Sequence, residues 1–509
     1  MADDLARAPL TRTAVVSTSN GPVRGYVEDV LQVFKGLRYG APPTGEHRFK
    51  PPRRPAPWTE VAEAVSYGAP AIQSGMGPGE RGSSAGDPPA PDEPASSEDC
   101  LFLNVWTPGL DQARRPVMVW LHGGGFANGS GGAAMYDGGA LARKGDVVTV
   151  TVNHRLNVFG YLDLGEAFGP DYAQSGVAGM LDIVQVLEWV RDNIEAFGGD
   201  PANVTIFGES GGGWKVSLLM GMPGAKGLFH KAIVQSGPGL RGAAKADAAK
   251  TAQTLLDALE VKDAAALAAL PTEVISRASV KVPGDRMRNF SPVVDGVALP
   301  RDPFVPDAPV LSADVPVMIG TNKDESTLFM IGDPKFGELT EEDLAKRAKA
   351  AAGDKADALV AELRKVHPDY SPTYLASAAQ TATGMWLGSI TLAERKAAQQ
   401  AAPAYMYMLT WETPVSRGRL KCPHALEIPL VFDNVERARN FVGRGDEPQV
   451  VADQMSSAWL AFARTGSPNA PDLPAWPAYD VQTRATMIFD VESKIVQDPN
   501  PGVRKVLQA

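Results

Sequence analysis

Two cysteines and six histidines in 509 residues leave little room for thiol or metal chemistry. No cysteine pair and no histidine cluster has metal-ligand spacing, so no metal or organic cofactor is expected. Long apolar runs are also missing. None approaches the ~18–20 residues that cross a bilayer, and the first twenty-five residues lack the charged stretch and apolar core of a secretory signal. A cytoplasmic protein with no membrane partner is the expectation. Basic charge is in deficit: 49 Lys and Arg stand against 59 Asp and Glu, a formal net charge of −10. That balance argues against nucleic acid and anionic surfaces as partners. From Ser74 to Ser97 there is neither an aromatic nor a β-branched residue, only a Gly/Pro/Ser/Asp-rich stretch. It is too long for an ordinary connection, so a mobile flap or a disordered segment is expected there. No internal repeat is evident.

What the chain does have centres on Gly208-Glu209-Ser210-Gly211-Gly212. Asn203–Phe207, just before it, is a β-branched and aromatic run that reads as a buried strand. Trp214–Met220, after it, continues as a helix. A serine at the apex of strand, tight turn and helix is a nucleophile elbow. Its neighbours must be small, because a β-carbon at Gly208 or Gly212 would crowd the backbone. The helix that follows directs its N-terminal N–H groups at the serine.

Upstream, Pro116–Leu121 reads as a buried strand running into His122-Gly123-Gly124-Gly125-Phe126. Successive glycines expose backbone N–H groups, the donors a tetrahedral oxyanion needs. An elbow of this kind is completed by an acid and then a histidine, in that chain order. His47, His122 and His154 precede the serine. His230 follows too closely to leave room for the acid, and His367 sits in a charged segment before a proline. His424 remains, in the proline-flanked loop Cys422–Pro429. For the acid, Val315–Gly320 reads as a strand whose C-terminal loop carries Asp324 and Glu325, at the sheet edge where functional groups gather. The residues alone do not choose between those two carboxylates. Motifs from residue 116 to residue 424 must converge, so one large α/β domain spanning 1–509 is expected. The elbow points to the α/β-hydrolase architecture, with a mostly parallel sheet flanked by helices as the expectation.

The chain resembles the type-B carboxylesterase family nearly end to end. Phe34–Pro43, Ser97–Val105, Asn153–Tyr161, Gln235-Ser236-Gly237, Pro292–Gly296 and Trp476-Pro477 stand in family order around the elbow. The resemblance implies that Glu325 is the acid, although Ser326 replaces the glycine that usually follows. It implies oxyanion donors at Gly124, Gly125 and Gly211, with Glu209 and Ser236 as supporting neighbours of the triad. It also implies two structural ion pairs, Arg48 with Glu98 and Arg155 with Asp182. Secreted relatives pair the cysteine equivalent to Cys100 with one upstream. Tyr67–Gln73 has no cysteine here, so no disulfide is expected, in keeping with a reducing compartment.

The expected activity is hydrolysis of neutral carboxylic esters, through an acyl-enzyme, on a small-molecule substrate and in a monomer. An amidase or lactonase on the same machinery is the alternative. A non-catalytic adhesion protein of neuroligin type is disfavoured because serine, acid, histidine and glycines all stand. The segments 240–290 and 340–400 are expected to be helical excursions capping the site. Phe126, Trp214, Phe329 and Trp386 are candidate pocket-lining residues, with core packing as the competing reading of the last three. Without an aromatic in the 74–97 loop to hold a quaternary ammonium, choline esters are not expected to be preferred.

Overall fold

A computed structural model describes residues 10–77, 92–285 and 288–509. Most of the segment expected to be a flap, residues 78–91, lies outside the described residues. Its described flanks are packed: Glu93 and Ser96 are buried, Ser130 Oγ donates to Glu93, and Ser96 Oγ donates to the Gly77 carbonyl at 3.3 Å.

Among the described residues, thirteen strands form one sheet. In chain order they are β1 (Arg12–Ser17), β2 (Pro22–Glu28), β3 (Leu31–Arg38), β4 (Ala62–Glu63), β5 (Phe102–Thr107), β6 (Arg115–Leu121) and β7 (Val148–Val152). There follow β8 (Gly199–Glu209), β9 (Lys231–Gln235), β10 (Val317–Asn322), β11 (Ala404–Leu409), β12 (Ala485–Phe489) and β13 (Lys494–Gln497). Across the sheet the order is β1-β2-β3-β5-β7-β6-β8-β9-β10-β11-β12-β13, with the short β4 beside β2. From β7 to β12 every pairing is parallel, while β1, β2, β3, β5 and β13 pair antiparallel with their neighbours on the main path. The central strands are buried on both faces, which is why β6, β7, β9 and β10 read as continuous rather than alternating apolar runs.

Register sets where the site forms. Leu121 pairs with Gly208, Glu209 with Gln235, and Gln235 with Gly320, so the C-terminal ends of β6, β8, β9 and β10 lie abreast. The chain leaves β6 for β7 on one side and β8 for β9 on the other. That divergence opens a crevice at the strand ends, the usual ligand position in open α/β sheets. Both segments expected to be excursions are helical. The first holds Lys245–Ala258, Ala264–Ala269 and Thr272–Ser279. The second holds Glu341–Ala352, Ala356–Val366, Pro372–Thr381, a π-helical turn at Ala382–Trp386, and Leu387–Ala398. Among the described residues, no helix is long and apolar enough to cross a membrane.

Both inferred ion pairs are formed and buried. Arg48 Nε and Nη2 donate to Glu98 at 2.8 and 2.6 Å, and Arg155 Nε and Nη2 to Asp182 at 2.8 and 2.6 Å. Each is a two-point guanidinium–carboxylate fork that ties distant segments together. Cys100 and Cys422 are free and buried.

Candidate active site

Ser210 sits between the end of β8 and the helix Gly211–Leu219 with φ 55° and ψ −120°, a conformation costly for a residue with a side chain. Two contacts hold it there. Its N–H donates to the Gln235 carbonyl at 2.8 Å, and its carbonyl accepts from Trp214 N–H at 3.0 Å. The surrounding glycines are required by close approach. A β-carbon on Gly212 would lie 1.9 Å from Leu121 O, and one on Gly211 2.2 Å from Gly125 O. The elbow and the loop after β6 are therefore in backbone contact.

In that loop, Gly124 and Gly125 both take positive φ, 77° and 62°. Positive φ at two successive positions suits glycine, which has no β-carbon to clash there. Among the described residues, neither N–H donates to a protein acceptor.

His424 is buried in the loop after β11, and its Nδ1 lies 2.6 Å from Glu325 Oε2. The other oxygen of Glu325 accepts the Asn322 N–H at 2.7 Å, and the Glu325 carbonyl accepts the His424 N–H at 3.3 Å. Glu325 thus fixes both the imidazole and the loop that bears it. Asp324 turns the other way. Its carboxylate accepts from Tyr370 Oη at 2.8 Å and Cys422 N–H at 3.3 Å, and its own N–H donates to the Cys422 carbonyl at 2.9 Å. The adjacent acids divide the work: Glu325 faces the histidine and Asp324 joins the two loops.

The other ring nitrogen, Nε2, lies 3.0 Å from Glu209 Oε1. This is an ion-pair distance off the ring N–H direction, so Glu209 attracts the ring without a directed hydrogen bond. Among the described residues, no hydrogen bond joins His424 to Ser210. Burial works against protonation of His424, but the charges of Glu209 and Glu325, with the Glu325 hydrogen bond, outweigh it and lift its pKa well above the ordinary histidine value. Glu427, three residues after His424, completes a buried group of acids that sequence reasoning missed. Burial, and then the charges of Glu209 and Glu325, push its pKa up to about 8. Its oxygens face Asn322 Nδ2 at 2.6 Å and Gln235 Nε2 at 3.5 Å. The signal available was its spacing: a glutamate one helical turn past the histidine, just before Ile428-Pro429.

Ser236 begins the loop after β9, with its N–H on the Gly320 carbonyl at 2.8 Å. Its hydroxyl is buried and has no hydrogen bond to His424 among the described residues. Phe329 is 61 % exposed, and its ring centre stands 5.0 Å from that of His424, at the open side of the site. Trp214 packs edge-on against the buried Phe126 at 5.4 Å and donates Nε1–H to the Arg241 carbonyl at 3.0 Å. It also lines a cavity of about 590 Å³ shared with Arg241, Arg288, Thr383, Gly384 and Leu387. Trp386 does not line that cavity. It is buried and packs in the main core.

Comparison with known proteins gives a consistent result. Residues 12–503 match the model of the carboxylesterase family. The chain is 36% identical to the para-nitrobenzyl esterase of Bacillus subtilis, over 97% of this chain and 98% of that one. It is 32% identical to the phenmedipham hydrolase of Pseudarthrobacter oxydans, over 95% and 97% of the two chains. The crystal structure of a Geobacillus stearothermophilus carboxylesterase superposes with a TM-score of 0.84 at 39% identity, covering 97% of this chain and 100% of that one.

Proposed function

The chain belongs to the carboxylesterase family and is a carboxylic ester hydrolase, and from that premise we propose that Ser210, His424 and Glu325 carry out the hydrolysis. Ser210 Oγ attacks the ester carbonyl carbon while His424 Nε2 takes its proton. Glu325 holds the proton on Nδ1 and stabilises the imidazolium. The N–H groups of Gly124, Gly125 and Gly211 receive the negative oxygen of the tetrahedral intermediate. Its collapse expels the alcohol, which takes the proton from His424, and leaves Ser210 acylated. Water activated by the same imidazole then releases the acid. Glu209 stabilises the imidazolium by its charge from the Nε2 side once the proton has moved, and the serine hydroxyl reaches the Nε2 of the neutral ring as the substrate seats. Catalytic hydrogen bonds commonly tighten only at that stage.

The observation that carries this reading is the 2.6 Å contact between His424 Nδ1 and Glu325, placed at the same sheet edge as the strained Ser210. A fluorophosphonate probe tests it. One serine should be labelled, in the peptide containing Gly208–Gly212, and Ser210→Ala should lose turnover. Labelling elsewhere, or full activity in that variant, would overturn the assignment.

We read residues 1–509 as one domain, with the helices at 245–279 and 341–398 as a cap. Supporting this, the cavity beside Trp214 is lined from both segments and their flanks: Arg241, Asp247 and Arg288 on one side, Thr383, Gly384 and Leu387 on the other. The substrate class proposed is neutral esters of modest size, and benzyl esters are a natural first panel given the name of the Bacillus relative. Two free cysteines suit a reducing cytoplasm, where we place the protein as a monomer.

A further inference from the structure

Lys215 lies on the helix that leaves the elbow, four residues beyond Gly211 and therefore on the same helix face. That face is pressed onto the loop after β6, as the closeness of Gly211 to Gly125 shows. Lys215 is fully buried. Its ammonium donates to the His122 carbonyl at 3.1 Å and the Gly125 carbonyl at 2.8 Å, and stands 5.2 Å from the ring centre of Phe126. No carboxylate makes an ion pair with it among the described residues. Burial draws its pKa down to about 7, and the charge of Glu209 opposes that fall.

A buried cation without a paired anion is costly, and an apolar chain of similar length would fill the same space without the cost. The hydrogen-bond account of the loop shows what the ammonium does. The Gly123 carbonyl accepts from His122 Nδ1 at 2.9 Å. The Gly124 carbonyl accepts from the N–H groups of Ala127 and Asn128 at 3.2 and 3.1 Å. Among the described residues, the two outer carbonyls, of His122 and Gly125, are held by Lys215 alone. Every carbonyl of the turn is thus occupied, and the turn is clamped at both ends by one side chain.

The charge is felt locally. His122 and His154 stack with ring centres 4.8 Å apart. Burial first, and then the charge of Lys215, hold both imidazoles well below the ordinary histidine pKa. In a water-poor setting such a charge also favours any negative oxygen forming nearby.

We propose that Lys215 is a positioning residue for ester hydrolysis: it fixes the directions of the Gly124 and Gly125 N–H groups by clamping their loop, and it sets a positive charge behind them. The inference rests on reading those N–H groups as the oxyanion donors. It is distinct from the triad assignment, because Lys215 touches neither Ser210 nor His424 by any hydrogen bond among the described residues.

The test uses the full chain with Lys215→Met, which keeps the length and removes the charge, and Lys215→Gln, which keeps a donor. On p-nitrophenyl acetate, kcat should fall about 10²-fold, the usual cost of a small misplacement at a reacting centre, with KM changed little. Affinity for a trifluoromethyl ketone, which forms an oxyanion on the serine, should fall by the same factor. Affinity for the matching unfluorinated ketone should not move. A folded Met variant with kcat within about twofold of the parent, or an equal loss for both ketones, overturns the proposal. If the Met variant does not fold, the Gln variant is read by the same criteria; failure of both to fold makes Lys215 a scaffold residue and also overturns it. Ser210→Ala separates the two readings. Activity there sinks the site itself, whereas a dead Ser210→Ala beside an active Lys215→Met sinks only this inference.

Discussion

At the residue scale, one imidazole answers to two carboxylates with different duties. Glu325 accepts from Nδ1 and sets the tautomer, so Glu325→Gln should fold yet lose kcat by about 10³–10⁴-fold, the scale seen when a triad acid becomes an amide. Asp324→Asn should do the opposite. Its carboxylate is an acceptor between Tyr370 and Cys422, so the substitution should cost about 1–3 kcal/mol in urea unfolding while kcat falls little. A reversed ranking would show that Asp324 supports the histidine. Glu209 raises the His424 pKa from the Nε2 side. The base form is the one that accepts the serine proton, so kcat/KM rises as pH passes that pKa. Removing the charge in Glu209→Gln destabilises the imidazolium, and the acid limb of the profile should move to lower pH. A limb that stays in place, or moves to higher pH, would contradict this. The sequence left Asp324 and Glu325 open for a physical reason. Neighbouring residues in an irregular loop point apart, and the direction of each depends on a turn geometry that spacing does not record.

At the element scale, the elbow and the loop after β6 act as one body because glycine backbones touch. Gly212→Ala places a β-carbon 1.9 Å from Leu121 O, backbone that cannot step aside. It should destabilise by about 1–3 kcal/mol or more and lose activity. Gly384→Ala is the contrast, since no atom lies within 4 Å of its β-carbon. It should be neutral or gain up to about 1 kcal/mol from helix propensity. Equal losses for the two in urea unfolding would mean that crowding is not what selects glycine at the elbow. The central strands were legible at 116–121, 203–207 and 315–320, because burial on both faces leaves an unmistakable β-branched run. His424 was legible by elimination among six histidines. The antiparallel flanks and the π-helical turn at Ala382–Trp386 were not. Pairing direction follows from the connections rather than from the strand itself. A π-turn differs from an α-helix by one inserted residue, with no composition of its own.

At the scale of the whole molecule, charge acts at two ranges that oppose each other for a cationic substrate. A net charge of −10 draws cations toward the protein, an effect that salt screens over about 8–10 Å. Close to the elbow the balance changes. The cavity beside Trp214 carries Arg241 and Arg288, with the Arg288 guanidinium 6.0 Å from the Trp214 ring centre, so that aromatic face already has a cation. Arg241 is paired with Asp302 at 3.0 Å, Arg288 with Asp285 at 3.6 Å and Asp247 with Lys250 at 3.9 Å, which leaves the pocket close to neutral rather than anionic. Phe329 is the exposed ring nearest His424, and a single phenyl face offers an ammonium only about 0.5–1 kcal/mol where water reaches it. Long-range attraction should therefore raise encounter without raising binding at the reacting centre. The comparison is butyrylcholine against its neutral isostere, 3,3-dimethylbutyl butyrate. The neutral ester should have the higher kcat/KM at about 150 mM salt, where the Debye length is near 8 Å. Lowering the salt to about 10 mM should raise the value for the choline ester alone and narrow the gap. A choline ester that is preferred at both ionic strengths would mean that an aromatic cage forms around Phe329 or Trp214 when substrate binds. Phe329→Ala would then remove the preference, which would identify the ring that supplies it.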